Sequence, residues 1–252
     1  MWWLIALFLV GFILVHIAKM FRLYLGLMEH DIGLGRFVLL YMKTTFVNLL
    51  IPFKLGELYR IYCISKETKH WQVGVLSVLV DRFFDTLALF VILLPMDIFF
   101  FGRLSVITLV FLGVMAVIVV CFISLLPTYR YLNRYIIKKK SSPRAMAALK
   151  GLDVAKIWYD FTQDLIGGRF ALISLFSFVG WVLEVGTLKV LAAFLQVPFG
   201  TGDFAAYIEA IFGIGESALL RPYTLYSMIL MFAFTLFGFG VMLKRNGSQE
   251  KA

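Results

Sequence analysis

An all-α, polytopic integral membrane bundle is the fold class this sequence predicts, with about five full spans, two re-entrant or broken helices and an inverted repeat. Three observations predict it. The 252 residues are 62% hydrophobic, with mean hydropathy +0.91 and only 15% charged residues, far from the balance of a soluble domain. Residues 2–18 hold His16 as their one ionisable group, and residues 104–126 and 222–243 hold no charge; each run is near the roughly 17–25 residues that cross a bilayer as helix. The net charge of +9 is concentrated beside these runs, as the positive-inside bias requires, so it does not point to nucleic acid.

The first run reads as a retained span. No basic residue precedes it and no small-residue cleavage site follows. Residues 35–52 carry Arg36 and Lys43 and end at Pro52, and Gly56 follows shortly. A helix should stop and restart there, leaving backbone groups free. In the long segment 71–101, the uncharged part after Asp85, residues 86–96, is only about 17 Å as helix. Residues 71–80 must therefore help to span, which draws Asp81, Arg82 and Asp85 into the membrane. Residues 127–169 hold nine Lys/Arg, including Lys138, Lys139 and Lys140, against Asp153, Asp160 and Asp164, so this basic segment is expected in the cytoplasm.

Counting spans outward from it places the N-terminus and residues 197–202 outside and the C-terminus, with Lys244 and Arg245, inside. The expected organisation is a single membrane domain over 1–252, with halves 1–126 and 170–252 around the basic segment 127–169. Residues 170–196 run outward with Glu184 about 21 Å along the helix from Phe170, near mid-bilayer. Residues 203–221, with Glu209, Gly213, Gly215, Glu216 and Arg221, form the second broken segment. VGFILVHIAK at 10–19 is similar to VGWVLEVGTLK at 179–189, and IGLGRF at 32–37 to FGTGDF at 199–204. Three crossings separate the two units, so they would be inverted, with a site near the midplane between them.

The richest stretch is NLLIPFKLGELYR at 48–60, which puts Asn48, Lys54, Glu57 and Arg60 into a greasy chain. On an insertion scale an unpaired central charge costs roughly 2.5–3.5 kcal/mol. Glu57, Arg60, Arg82, Asp85 and Glu184 should therefore converge on one hydrated cavity, with Glu184 bonded to Arg82 or Arg60. Taken alone, Lys19 and Arg22 read as interfacial anchors, Trp2 and Trp3 likewise, and an Arg82–Asp85 pair could serve helix packing alone.

Other chemistries find no support in the sequence. Cys63 and Cys121 have no metal or redox spacing, and His16, His30 and His70 are far apart, so neither a metal nor a cofactor is expected. There is no GxxxxGK[ST] loop for ATP and no nucleophile and base constellation. No catalytic residue is assigned, and an enzyme is the less favoured reading.

NLLIPFKLGELYR followed by VLVDRFFDTLALF resembles the membrane region of the lysylphosphatidylglycerol synthase family, also called the flippase-like domain. That family carries an Asn, a Pro, a Gly-Glu pair and an Arg, then Arg-x-x-Asp, matched by Asn48, Pro52, Gly56, Glu57, Arg60, Arg82 and Asp85. Lys19 and Arg22 resemble its earlier basic pair, with Lys19 where Arg is usual, and Trp181 with Glu184 resembles its Trp-x-x-Glu. The family commonly has one more helix before the span that residues 2–18 are expected to form. The chain departs from the family in offering only GIGES, 213–217, for the Gly-rich segment near the C-terminus. No aminoacyl-transferase domain is expected after residue 243.

The resemblance implies a protein of the cytoplasmic membrane that moves, or helps to move, a phospholipid or lipid-linked group between leaflets. The expected substrate-binding set is Arg22, Asn48, Lys54, Glu57, Arg60, Arg82, Asp85 and Glu184, with Arg60 gripping the headgroup phosphate. The expected partner is a membrane lipid, whether anionic, aminoacylated or polyprenyl-linked, with a second copy or a lipid-modifying enzyme alongside. The rival readings are a membrane enzyme acting on a lipid-linked phosphate or sugar, with Glu57 or Asp85 as base, and a scaffold that recruits an enzyme through the basic segment.

Overall fold

A computed structural model of the chain describes residues 2–30, 32–51, 55–139 and 143–249. Among them are nine α-helices and no strand: α1 (Trp2–Leu27), α2 (Leu34–Leu50), α3 (Gly56–Thr68), α4 (Trp71–Met96), α5 (Val106–Lys139), α6 (Pro143–Ile166), α7 (Phe170–Leu195), α8 (Thr201–Ile211) and α9 (Leu220–Gln249). Five helical segments, Trp2–His30, Trp71–Phe101, Val106–Lys138, Phe170–Leu195 and Leu220–Val241, are long and apolar enough to cross a membrane. The chain is a multi-pass helical membrane protein, as its hydropathy predicts. Residues 1–89 with 171–252 form one compact unit, and residues 90–170 another.

In the first unit, the break expected between α2 and α3 is present. Ile51 leaves the helix in an extended conformation, φ −92° and ψ 121°, which suits a residue that precedes a proline. Pro52 and Lys54 themselves lie outside the described residues. The two short helices form a hairpin, since Lys43 lies over the Tyr59 ring, Arg60 reaches Thr45, and Gly56 abuts Asn48. A β-carbon on Gly56 would lie 2.3 Å from Asn48 Cα, a clash with backbone that no rotamer relieves. Gly56→Ala should therefore pry α3 from α2 and cost about 1–3 kcal/mol, read as a lower unfolding temperature in detergent. α9 runs antiparallel beside α2, with Phe46 on Phe232 at 5.4 Å between ring centroids and Gly238 beside Leu39.

α1 and α7 also pack antiparallel. Phe21 stacks on Phe176 at 5.8 Å, and further along Gly11 meets Thr187. A β-carbon at Gly11 would lie 2.6 Å from Thr187 Oγ1, and one at Gly180 would lie 4.0 Å from Ala18 Cβ. Gly11 and Gly180 occupy the same place in the two similar stretches, as do Ala18 and Thr187. Each contact is thus the other with the repeats exchanged, the reciprocity that a two-fold axis generates. α1 and α7 have the same length, 26 residues, and α2 and α8 begin at equivalent places, Leu34 and Thr201. Asp203 in the first turn of α8 accepts the Gly200 N–H at 2.7 Å, placing a carboxylate where the helix dipole favours it.

In the second unit, a π-helical turn, Asp97–Phe101, follows α4. The Asp97 carboxylate accepts the Ser105 N–H at 2.7 Å, and the Ser105 hydroxyl accepts the Thr108 N–H at 3.3 Å, so Ser105 caps α5. The basic segment is almost wholly helical, made of the end of α5 and of α6. α6 folds back along α5: the Tyr129 hydroxyl donates to Asp153 at 3.0 Å, and Tyr159 reaches Phe122 at 4.7 Å between centroids. Phe122 lies inside the uncharged run 104–126. The last turns of α6 therefore lie against membrane-spanning helix, which the polar composition of 127–169 conceals.

Candidate functional site

Four helices of the first unit each contribute charge to one buried network. α1 gives Lys19 and Arg22, α3 gives Glu57 and Arg60, α4 gives Asp81, Arg82 and Asp85, and α7 gives Glu184. The sequence spacing explains the placement. Asp81 and Asp85, four apart, share a face of α4, and Lys19 and Arg22, three apart, share one of α1.

Arg22 is only 3% exposed. Its Nε donates to Asp81 Oδ1 at 2.6 Å, and its Nη1 donates to Asp85 Oδ1 at 2.6 Å and to Ser177 Oγ at 3.4 Å. Asp81, 4% exposed, is the hub of the network. Its other oxygen accepts from Arg82 Nη2 at 2.9 Å and lies 3.7 Å from Arg60 Nη1. Arg60, 3% exposed, donates from Nη2 to Thr45 Oγ1 at 3.2 Å and lies 3.4 Å from Glu57 Oε2. Arg82 also lies 3.6 Å from Glu57 Oε1 and 3.6 Å from Asp85 Oδ2, and its side chain is 41% exposed. It is the least enclosed of the three arginine side chains.

Glu184 takes a different partner from the one expected. It accepts a hydrogen bond from Lys19, and neither Arg60 nor Arg82 bonds it. The reason is the antiparallel packing of α1 on α7, which brings Gly180 against Lys19 and so sets Glu184, one turn on, at the ammonium. Lys19 also lies over the Trp181 ring, 5.7 Å from its centroid, and Trp181 Nε1 donates to the Asp85 carbonyl at 3.1 Å. Trp181 thus joins the Lys19–Glu184 pair to the larger cluster.

Four cations, Lys19, Arg22, Arg60 and Arg82, face four carboxylates, Glu57, Asp81, Asp85 and Glu184. The set is neutral by formal charge, so the low dielectric around it is tolerated only while every partner stays in place. One region is left incomplete. Asn48 Nδ2 donates to Glu57 Oε1 at 3.1 Å, yet Asn48 Oδ1, Glu57 Oε2, Arg60 Nε and Arg82 Nε are buried without a hydrogen-bond partner. Two donors and two acceptors are left unsatisfied around the α2–α3 hairpin, and such atoms in a native interior call for an explanation.

Of the residues expected to bind substrate, Arg22, Asn48, Glu57, Arg60, Arg82 and Asp85 come together, Glu184 joins them through Lys19 and Trp181, and Lys54 lies outside the described residues. Lys19 and Arg22 are members of the network, not interfacial anchors. Sequence reasoning undervalued Asp81, whose signal was its four-residue spacing to Asp85. Thr45 and Ser177 carried no signal at all. Among the described residues no group of His, Cys, Asp and Glu could hold a metal ion.

Residues 1–242 match the lysylphosphatidylglycerol synthase TM region. The chain belongs to that family. Within the lysylphosphatidylglycerol synthase TM region family, it is similar to the UPF0104 membrane protein MJ1078 of Methanocaldococcus jannaschii. The two are 26% identical over an alignment that covers 77% of this chain and 91% of that protein. No solved structure matches. The matched region contains every residue of the ion-pair network, so the network is a feature of the part of the chain that carries the family likeness.

Proposed function

We propose that this protein moves, or helps to move, a phospholipid or lipid-linked group between the leaflets of the cytoplasmic membrane, taking the headgroup at the α2–α3 hairpin. The observation that carries this reading is the set of unsatisfied atoms on Asn48, Glu57, Arg60 and Arg82, the last on a side chain that is partly exposed. A headgroup offers what these atoms lack. Its phosphate accepts bidentate, charge-assisted bonds from Arg82, and its hydroxyl or amine donates to Glu57 and Asn48.

Arg60 plays a different part from the one its motif suggested. Buried and engaged by Thr45, Glu57 and Asp81, it holds Glu57 and the hub carboxylate, while Arg82 meets the lipid. Acyl chains stay in the bilayer, so only the polar end needs a path. Family membership and the inverted pairing of α1 with α7 favour movement over chemistry, since inverted repeats around a midplane site are a transporter arrangement. In this reading the N-terminus faces outward and residues 127–169 inward, as the Lys/Arg distribution directs.

The test is leaflet exchange in vesicles that contain the purified chain and a panel of labelled lipids: anionic, aminoacylated and polyprenyl-linked. Exchange of at least one lipid without chemical conversion is expected. Conversion of a lipid without exchange would support a membrane enzyme instead and overturn the proposal.

A further inference from the structure

The end of α5 carries a second, separate arrangement of charge. Arg130, Arg134 and Lys138 line a groove of about 760 Å³ together with Tyr131 and Tyr135, and the groove continues at its apolar end onto Leu126 and Pro127. Steps of three and four residues put all of these on one face of the helix. The opposite face is the one that α6 covers, through Phe122 and Tyr129. Arg130, Arg134 and Lys138 are exposed, and none of the ion pairs among the described residues involves them. Tyr131 and Tyr135 stack with 6.3 Å between ring centroids.

Position along the helix says what this face meets. The apolar run 104–126 ends at Leu126, before Pro127 and Thr128, so Arg130 lies about 6 Å and Arg134 about 12 Å beyond the apolar end. The polar layer of a bilayer is roughly 5–8 Å deep on each side. Arg130 is therefore level with lipid phosphates, Arg134 just above them, and the tyrosines sit where amphipathic rings are enriched. Among the described residues no carboxylate lines the groove to compete for the cations.

We infer that this groove is a binding site for one anionic phospholipid of the surrounding leaflet. The phosphate lies between the Arg130 and Arg134 guanidiniums, Lys138 adds attraction from above, and the first methylenes of the acyl chains rest on Leu126 and Pro127. The site is independent of the ion-pair network and requires only that α5 span the membrane.

The experiment is native mass spectrometry of the full chain released from detergent, after equilibration with phosphatidylglycerol or with phosphatidylcholine. The wild-type chain should retain phosphatidylglycerol preferentially. Arg130→Gln with Arg134→Gln should weaken that retention roughly 25-fold, from about fivefold per cation near an anionic surface. Arg130→Lys with Arg134→Lys should give an intermediate loss, because the charge stays and the bidentate fork goes. A control of equal charge change, Lys66→Gln with Lys150→Gln, should stay within about twofold, and circular dichroism should show unchanged helix in all variants. Equal weakening by the control pair would mean diffuse attraction and overturn the site. So would retention of both lipids alike, or displacement of the lipid by millimolar inorganic phosphate, which would mark a free-anion site.

Discussion

Arg22→Met is expected to remove most of the folded protein. Its guanidinium is the partner of two carboxylates at 2.6 Å and is almost wholly enclosed. Removing it leaves Asp81 and Asp85 buried with one cation fewer between them, a change that typically costs about 3–5 kcal/mol in a protein interior. Methionine fills similar volume, so the loss would reflect charge and not a cavity. Asp81→Asn should relieve part of the damage when combined with Arg22→Met, since it removes the carboxylate that the first substitution strands. The pair would then show a coupling of roughly 0.5–3 kcal/mol. The measurement is thermal unfolding of purified protein in detergent, with folded yield as a second readout. A melting temperature for Arg22→Met within a degree or two of wild type would show that the network is not a structural keystone.

The contrast between Arg22 and its sequence neighbours shows what was legible. Hydropathy gave the spans because the cost of exposing polar groups to hydrocarbon is local and additive along a chain. Pro52 and Gly56 predict the α2–α3 break for an equally local reason, since each residue type acts on its own turn. Glu184 stands out in the sequence of α7, but its partner does not, because Lys19, Arg60 and Arg82 are all cations at the right depth. Which of them it meets depends on the face of α1 that α7 packs against, and that is fixed by Gly11, Ala18, Gly180 and Thr187, small residues with no charge signal. Arg60 and Arg82 read alike in sequence, one buried and one partly exposed in the structure. A motif names residue types; the division of labour among them comes from packing.

That division yields the prediction most damaging to the headgroup proposal should it fail. Arg82→Lys should preserve the fold, because the side chain is substantially exposed and a lysine still places a cation near Asp81. It should nonetheless reduce lipid movement roughly ten- to hundredfold, since the bidentate contact with phosphate is lost and a hydrogen bond to a charged group contributes about 1.5–3 kcal/mol. Arg60→Lys should behave in the opposite way. An ammonium cannot at once replace the contacts to Thr45, Glu57 and Asp81, so folded yield should fall first, and activity per folded molecule should fall less than in Arg82→Lys. The two variants are compared by leaflet exchange in vesicles at matched amounts of folded protein. Normal exchange by Arg82→Lys would place the headgroup elsewhere. Loss of exchange in step with loss of fold in both variants would reduce the network to helix packing.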